Sequence, residues 1–153
     1  MKHLAAVVAI LTFTVCFQGC NKNTSVHFFD AGVSSELSQW RARTITNINY
    51  TLRFSIPDTI TAPVNAEESV EFDLASKDMP VLLDFRVPEG YLKMVNVNGK
   101  EIEPSVKNEH IIIPERLLKK GANVVILGFR AGDQSLNRNA DYLYTLFVPD
   151  RAC

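Results

Sequence analysis

Between Asn47 and Ile56 the chain alternates, with Ile48, Tyr50, Leu52, Phe54 and Ile56 apolar and Asn47, Asn49, Thr51, Arg53 and Ser55 polar. A period of two sends successive side chains to opposite faces of a pleated strand, so this stretch predicts a half-buried β-strand. Pro57-Asp58 ends it. A second alternating run sets Val70, Phe72 and Leu74 against Glu71 and Asp73, and the intervening residues 59–68, which include Pro63, predict a loop or an edge. Further strands are predicted over residues 81–87, 92–97, 100–102, 110–113, 123–129 and 141–148. Asn98-Gly99 is a strong hairpin signal, because both central residues of a type I′ turn need positive φ. Residues 123–129 are apolar on both faces and predict a central strand, while 114–120 predict a short helical turn closed by Gly121.

One helix is predicted, over residues 34–43. Ser34 or Ser35 supplies the cap, Glu36 lies in the first turn, Leu37 and Trp40 share a face, and Arg41 and Arg43 sit in the last turn, where cations meet the negative end of the helix dipole. Trp40 is expected to pack on the domain rather than stand free. About eight short strands, one short helix and no internal repeat predict an all-β chain folded as an antiparallel β-sandwich. The lack of alternating helices and strands, and of a glycine-rich strand-to-helix turn, argues against a nucleotide-binding fold.

The N-terminus follows a different pattern. Met1, Lys2 and His3 precede an apolar run over residues 4–17, and Gly19-Cys20 follows. A positive start, a 14-residue apolar stretch and a small residue before the cleavage point fit a signal peptide over residues 1–19. A short membrane anchor is the weaker alternative, since about 20 apolar residues are needed to span a bilayer. Gly19 before Cys20 resembles the bacterial lipobox and makes Cys20 the candidate lipidation site, with Val15 disfavouring Cys16. These features predict an exported lipoprotein held on a bacterial membrane, at the periplasmic or surface face, through a lipid on Cys20. Residues 20–33 are polar, mixed and without a period, and predict a tether between lipid and domain.

Residues 20–153 number 134, enough for one globular unit. A formal net charge of −1 and 22% charged residues give no basic surface for nucleic acid. Cys16 leaves with the signal, Cys20 is the lipidation candidate and Cys153 is terminal, so no internal disulfide framework is predicted. Asn23-Thr24-Ser25 and Asn49-Tyr50-Thr51 match the N-glycosylation pattern and read as chance in a bacterial lipoprotein.

Residues able to carry chemistry are sparse. His3 lies in the signal, His27 in the tether and His110 at a strand start, and none forms an H-E-x-x-H pattern. His110 beside Glu109 reads as an exposed strand-end pair. Asp84 lies within an apolar strand, either as a buried acid with a shifted pKa or, the favoured reading, as a carboxylate on the opposite sheet face or capping a turn. Glu67-Glu68 is assigned to a loop, and Arg130, Asp133, Arg138 and Asp141 read as solvated charges flanking a polar loop. The serines have no nucleophile elbow. No catalytic residue and no metal ligand is assigned.

Several segments nevertheless form a recognisable series. Asn98-Gly99, Ile111-Ile112-Ile113-Pro114, Leu117-Leu118-Lys119-Lys120-Gly121-Ala122-Asn123 and Tyr142-Leu143-Tyr144-Thr145-Leu146-Phe147-Val148-Pro149-Asp150-Arg151-Ala152 resemble, in order and spacing, the N-terminal domain of the aminopeptidase N family of zinc metallopeptidases. Arg41, Ile45, Asn47, Tyr50 and Leu52 are similar to that family's opening strand, and Phe72-Asp73-Leu74 with Leu83-Asp84-Phe85 to its next two. The resemblance covers about residues 36–153 and implies a saddle-like β-sandwich over residues 34–153, cut short at its C-terminal end. In the family this domain packs against a thermolysin-like body whose H-E-x-x-H helix and a later Glu bind one zinc, which activates water while the helix Glu acts as general base.

None of those zinc ligands occurs in this chain, so zinc belongs only to the intact enzyme that the resemblance implies. Many members carry Gln and Glu at the positions of Leu146 and Val148, the Glu holding the substrate's amino group. Aliphatic residues cannot pair with an ammonium. Leu146, Phe147 and Val148 are instead candidate lining for the pocket of the first substrate side chain, against the alternative of ordinary strand packing. The family continues beyond the position of Cys153 into a Phe-Pro-Cys-Phe-Asp-like segment and more strands, and a domain lacking them is expected to show an unpaired edge and exposed apolar surface. The resulting expectation is a non-catalytic domain of an exported zinc aminopeptidase, which meets peptide substrate only alongside the catalytic domain. The alternative is a stand-alone lipoprotein that binds a peptide, glycan or protein partner.

Overall fold

A computed structural model describes residues 28–88, 90–132, 137–138 and 141–144. Helix α1 (Ser35–Thr44) begins where the Ser34 hydroxyl accepts the Leu37 N–H at 3.1 Å, and Arg41 and Arg43 occupy its last turn. Leu37 is fully buried, and Trp40 packs edge-on against Phe28 at 5.6 Å between ring centres, as its shared face with Leu37 requires.

From Ile45 the chain is almost wholly extended. The strands are β1 (Ile45–Ser55), β2 (Asn65–Leu74), β3 (Val81–Asp84), β4 (Leu92–Val97), β5 (Lys100–Ile102), β6 (Val106–Lys107), β7 (His110–Ile113), β8 (Gly121–Arg130), β9 (Asn137–Arg138) and β10 (Leu143–Tyr144). They form a five-stranded sheet in the order β1-β2-β8-β4-β5, a three-stranded sheet β3-β7-β6 and a β9-β10 pair, all antiparallel. The two larger sheets face each other in a sandwich-like arrangement. Val70 and Phe72 of β2, Val95 and Val97 of β4, and Val125 and Leu127 of β8 meet Val81, Ile111 and Ile113 of the smaller sheet. Burying each such side chain contributes about 1.5–3 kcal/mol.

The hairpin at Asn98-Gly99 forms as predicted, with φ of 53° and 87°. Its support comes from a buried amide. Asn123 is 1% exposed and makes four bonds: its Oδ1 accepts from the Lys119 N–H (2.8 Å) and the Asn98 side-chain amide (3.0 Å), and its Nδ2 donates to the carbonyls of Lys119 and Gly121 (2.8 Å each). Two donor hydrogens and two acceptor lone pairs are all an asparagine side chain has.

The structure departs from the sequence expectations in informative places. Strand β1 is not half-buried: Ile48, Tyr50, Leu52 and Phe54 are between 38% and 62% exposed. The alternation was real, but β1 is the outermost strand of the larger sheet, and the facing sheet has strands of only four, two and four residues. The β1 stripe therefore overhangs the sandwich. Strand β8 is central, as expected, yet only one of its faces is fully buried, with Val124 on the other at 37%. Sheets of this kind bury one face and solvate the other. Strand β2 begins at Asn65, inside the stretch predicted as loop, β3 ends at Asp84, and the short strands β6 and β9 were not foreseen. The 3₁₀ turn over Glu115–Leu117 occupies the predicted helical turn. Phe28 and Phe29, read as tether, pack beside Leu37 and Leu82. Residues 145–148 of the last predicted strand lie outside the described residues.

Candidate functional site

The overhang of β1 and the outer edge of β3 leave a cleft of about 310 Å³ on the open side of the sandwich. Its walls are largely apolar, including Ile45 and Ile48 of β1, Val70 and Phe72 of β2, and Val81 and Leu83 of β3. Four polar side chains reach it: Arg41, Tyr50, Glu68 and Asp84.

Arg41 and Asp84 are already committed to each other. From the last turn of α1 the guanidinium spans both carboxylate oxygens of Asp84, at 2.6 and 3.0 Å, and donates to the Leu82 carbonyl at 2.7 Å. A planar fork matches a carboxylate in two places at once, which is why arginine suits this position. The Arg41 hydrogen bond holds the Asp84 carboxyl below its ordinary range, against a smaller opposing effect of burial. Asp84 is thus not a buried acid: in line with the favoured reading, it alternates with the core residues Val81, Leu83 and Phe85 and lies on the opposite sheet face, 52% exposed, where it serves as an ion-pair partner.

His110 is placed otherwise than expected. It is 1% exposed, directly across from Asp84 in the β3-β7 register, with Nδ1 3.0 Å from Asp84 Oδ1, out of line for a hydrogen bond, and Nε2 3.1 Å from the carbonyl oxygen of Asp30. Glu109, its supposed partner, pairs with Arg86 at 2.9 Å. The Asp30 carbonyl, 80 residues away, leaves no local signal in the sequence. Both ring nitrogens face oxygens, so His110, Asp84 and Arg41 tie together the Phe28–Asp30 segment, the small sheet and the helix. Their arrangement is that of a structural lock.

Glu68 differs from these. It lies on β2 between Ala66 and Val70 on the core-side face, with Leu52 of β1 opposite on one side and Leu127 of β8 on the other. Burial holds its carboxyl above the usual range. It has no hydrogen-bond or ion-pair partner among the described residues. Tyr50, also on β1, has its phenol pushed up by burial first and by Glu68 second. Assigning Glu68 to a loop hid this group; the signal lay in the run Ala66, Glu68, Val70, Phe72, Leu74, an alternating core-side series with one acid in it.

On the opposite face of the same two strands the polar groups are paired: Asn47 with Asp73 at 2.7 Å, Asn49 with Glu71 at 3.5 Å and Arg53 with Glu67 at 3.4 Å. Cross-strand pairs of this kind secure register. Among the described residues no three His, Cys, Asp or Glu side chains gather so as to hold a metal ion, so these residues do not fit a zinc site. No described helix is long and apolar enough to cross a membrane. Cys20 and the candidate pocket residues Leu146, Phe147 and Val148 lie outside the described residues. Compared with known proteins, the chain matches no protein-family model, no curated protein and no solved structure.

Proposed function

We propose that this chain is the non-catalytic N-terminal β-sandwich of an exported zinc aminopeptidase of the aminopeptidase N type, a domain that docks on a catalytic body and helps shape its peptide cleft. The observation that carries the reading is the series of family-like segments running in register over about residues 36–153. The open side of the sandwich is in keeping with it. A strand whose apolar face is 38–62% exposed at Ile48, Tyr50, Leu52 and Phe54 is the kind of surface that another protein body covers. In this reading the finer architecture is the saddle-like domain of that family, and the mature protein is anchored to the membrane through Cys20. Zinc, bound elsewhere in the intact enzyme, would supply Lewis-acid activation of water. The residues of this chain contribute the packing surface, and Leu146, Phe147 and Val148 contribute lining to the pocket for the first substrate side chain.

The alternative, a stand-alone envelope lipoprotein that binds a partner through its sandwich, is favoured by one observation: Glu68, a partly buried acid with no ion-pair partner among the described residues, in a largely apolar cleft. Reading the coding DNA beyond codon 153 separates the two. An open frame leading through a Phe-Pro-Cys-Phe-Asp-like segment to H-E-x-x-H supports the enzyme domain; a stop codon there refutes it and favours the binding protein.

A further inference from the structure

We infer that the cleft between β1 and β3 is a docking site for an extended segment of a partner polypeptide that presents one basic side chain between two apolar ones. The inference goes beyond the enzyme-domain reading and stands on the cleft alone.

Charge decides the occupant's chemistry. Of the two carboxylates that reach the cleft, Asp84 is spanned by Arg41 at 2.6 and 3.0 Å and has no need of a further cation. Glu68 has no partner among the described residues and is flanked in register by Leu52 and Leu127. A partly buried carboxylate without a counter-charge is unfavourable, and a lysine or arginine side chain brought in with apolar neighbours would relieve it. An anionic occupant is disfavoured, because the Arg41 charge is already neutralised by the two-oxygen contact with Asp84.

Periodicity decides its shape. Glu68 is ringed by apolar side chains on this face, with Val70 next to it along β2, Leu52 across on β1 and Leu127 across on β8. Its complement is apolar, basic, apolar at positions i, i+2 and i+4 of an extended chain, since alternate residues of a strand share one face. The 11-residue strand β1 pairs with β2 on one side only among the described residues; an extended segment along its other edge lies two strand spacings, about 10 Å, from β2, a span that a long basic side chain crosses over Leu52 to reach Glu68. The edge of β3 is less available, because Arg41 already caps its Leu82 carbonyl.

The test uses the ¹⁵N-labelled full chain and two synthetic peptides, Ac-Ser-Ile-Ser-Lys-Ser-Ile-Ser-amide and the same peptide with Glu in place of Lys, followed by amide chemical shifts. The proposal expects the Lys peptide to shift the amides of Tyr50, Leu52, Glu68 and Leu83, and to bind roughly tenfold more tightly than the Glu peptide. Glu68→Gln should abolish that preference. The charge comparison on the unaltered chain needs no variant, so a poorly folding Glu68→Gln protein leaves the test intact. Equal affinities, shifts confined to other surfaces or no binding of the Lys peptide would overturn the proposal. So would cleft shifts that depend on protein concentration without peptide, which would make a second copy of this chain the occupant.

Discussion

Replacing Asn123 by Ala removes all four hydrogen bonds that hold the Lys119–Gly121 turn to the Asn98 hairpin. Leaving a buried donor or acceptor unpaired costs about 1–3 kcal/mol, but Lys119 and Lys120 are exposed and water can reach part of this turn, so the expected loss is about 2–3 kcal/mol rather than the sum. Asn123→Asp is the sharper probe. At neutral pH it sets a carboxylate oxygen where Nδ2 now faces the carbonyls of Lys119 and Gly121, and the variant should be about 1–2 kcal/mol less stable than the Ala variant. Such a carboxyl has its folded pKa raised, so its penalty is full above the folded pKa and fades as pH falls toward the unfolded value near 4, where the protonated acid regains one donor. Urea unfolding followed by fluorescence of Trp40, the single tryptophan, reads both effects. With a slope of about 1–3 kcal/mol/M, the Ala variant's midpoint should drop by roughly 1–2 M. A midpoint within about 0.3 M of the parent, or Asp and Ala variants that coincide at neutral pH, would refute the hydrogen-bond argument.

Other predictions follow from the same geometry. Asp84→Asn should lower stability at neutral pH by less than about 1 kcal/mol, since the pair is half exposed. Because the folded Asp84 carboxyl is depressed, its contribution is present above the unfolded pKa and lost as pH falls through the folded one, so parent and variant should converge in acid urea titrations. Glu68 has the opposite sign: its raised folded pKa means that stability is gained as pH falls, so Glu68→Gln should be more stable than the parent at pH 7 and indistinguishable in acid. Leu37→Ala should cost about 2–4 kcal/mol in urea unfolding, because Leu37 is fully buried beneath α1. Gly128→Val should destabilise by about 1–3 kcal/mol in the same assay, since even a Cβ there would lie 3.3 Å from that of Met94.

The legible parts of the fold were those set by local chemistry. Ser34 as cap, the face shared by Leu37 and Trp40, the positive φ of Asn98 and Gly99 and the alternation of Val70, Phe72 and Leu74 all follow from neighbours in sequence. What escaped depends on distant partners. Whether the β1 stripe is covered is decided by the length of the facing sheet, which periodicity does not encode. His110 looked like a surface residue because Asp30 and Asp84 reach it only through folding. Glu68 was misplaced because Pro63 suggested a loop extending too far, although the strand resumes at Asn65.

Whether the apolar face of β1 is uncovered in this chain can be read from the urea unfolding free energy of the Leu52→Lys, Phe54→Lys double variant. Leu52 and Phe54 are 44% and 38% exposed, so the lysines can turn their charged ends to water and stability should change by no more than about 1 kcal/mol in total. A loss of about 3 kcal/mol or more would mean that these side chains are buried within the chain itself, and would contradict both the open cleft and the docking role built on it.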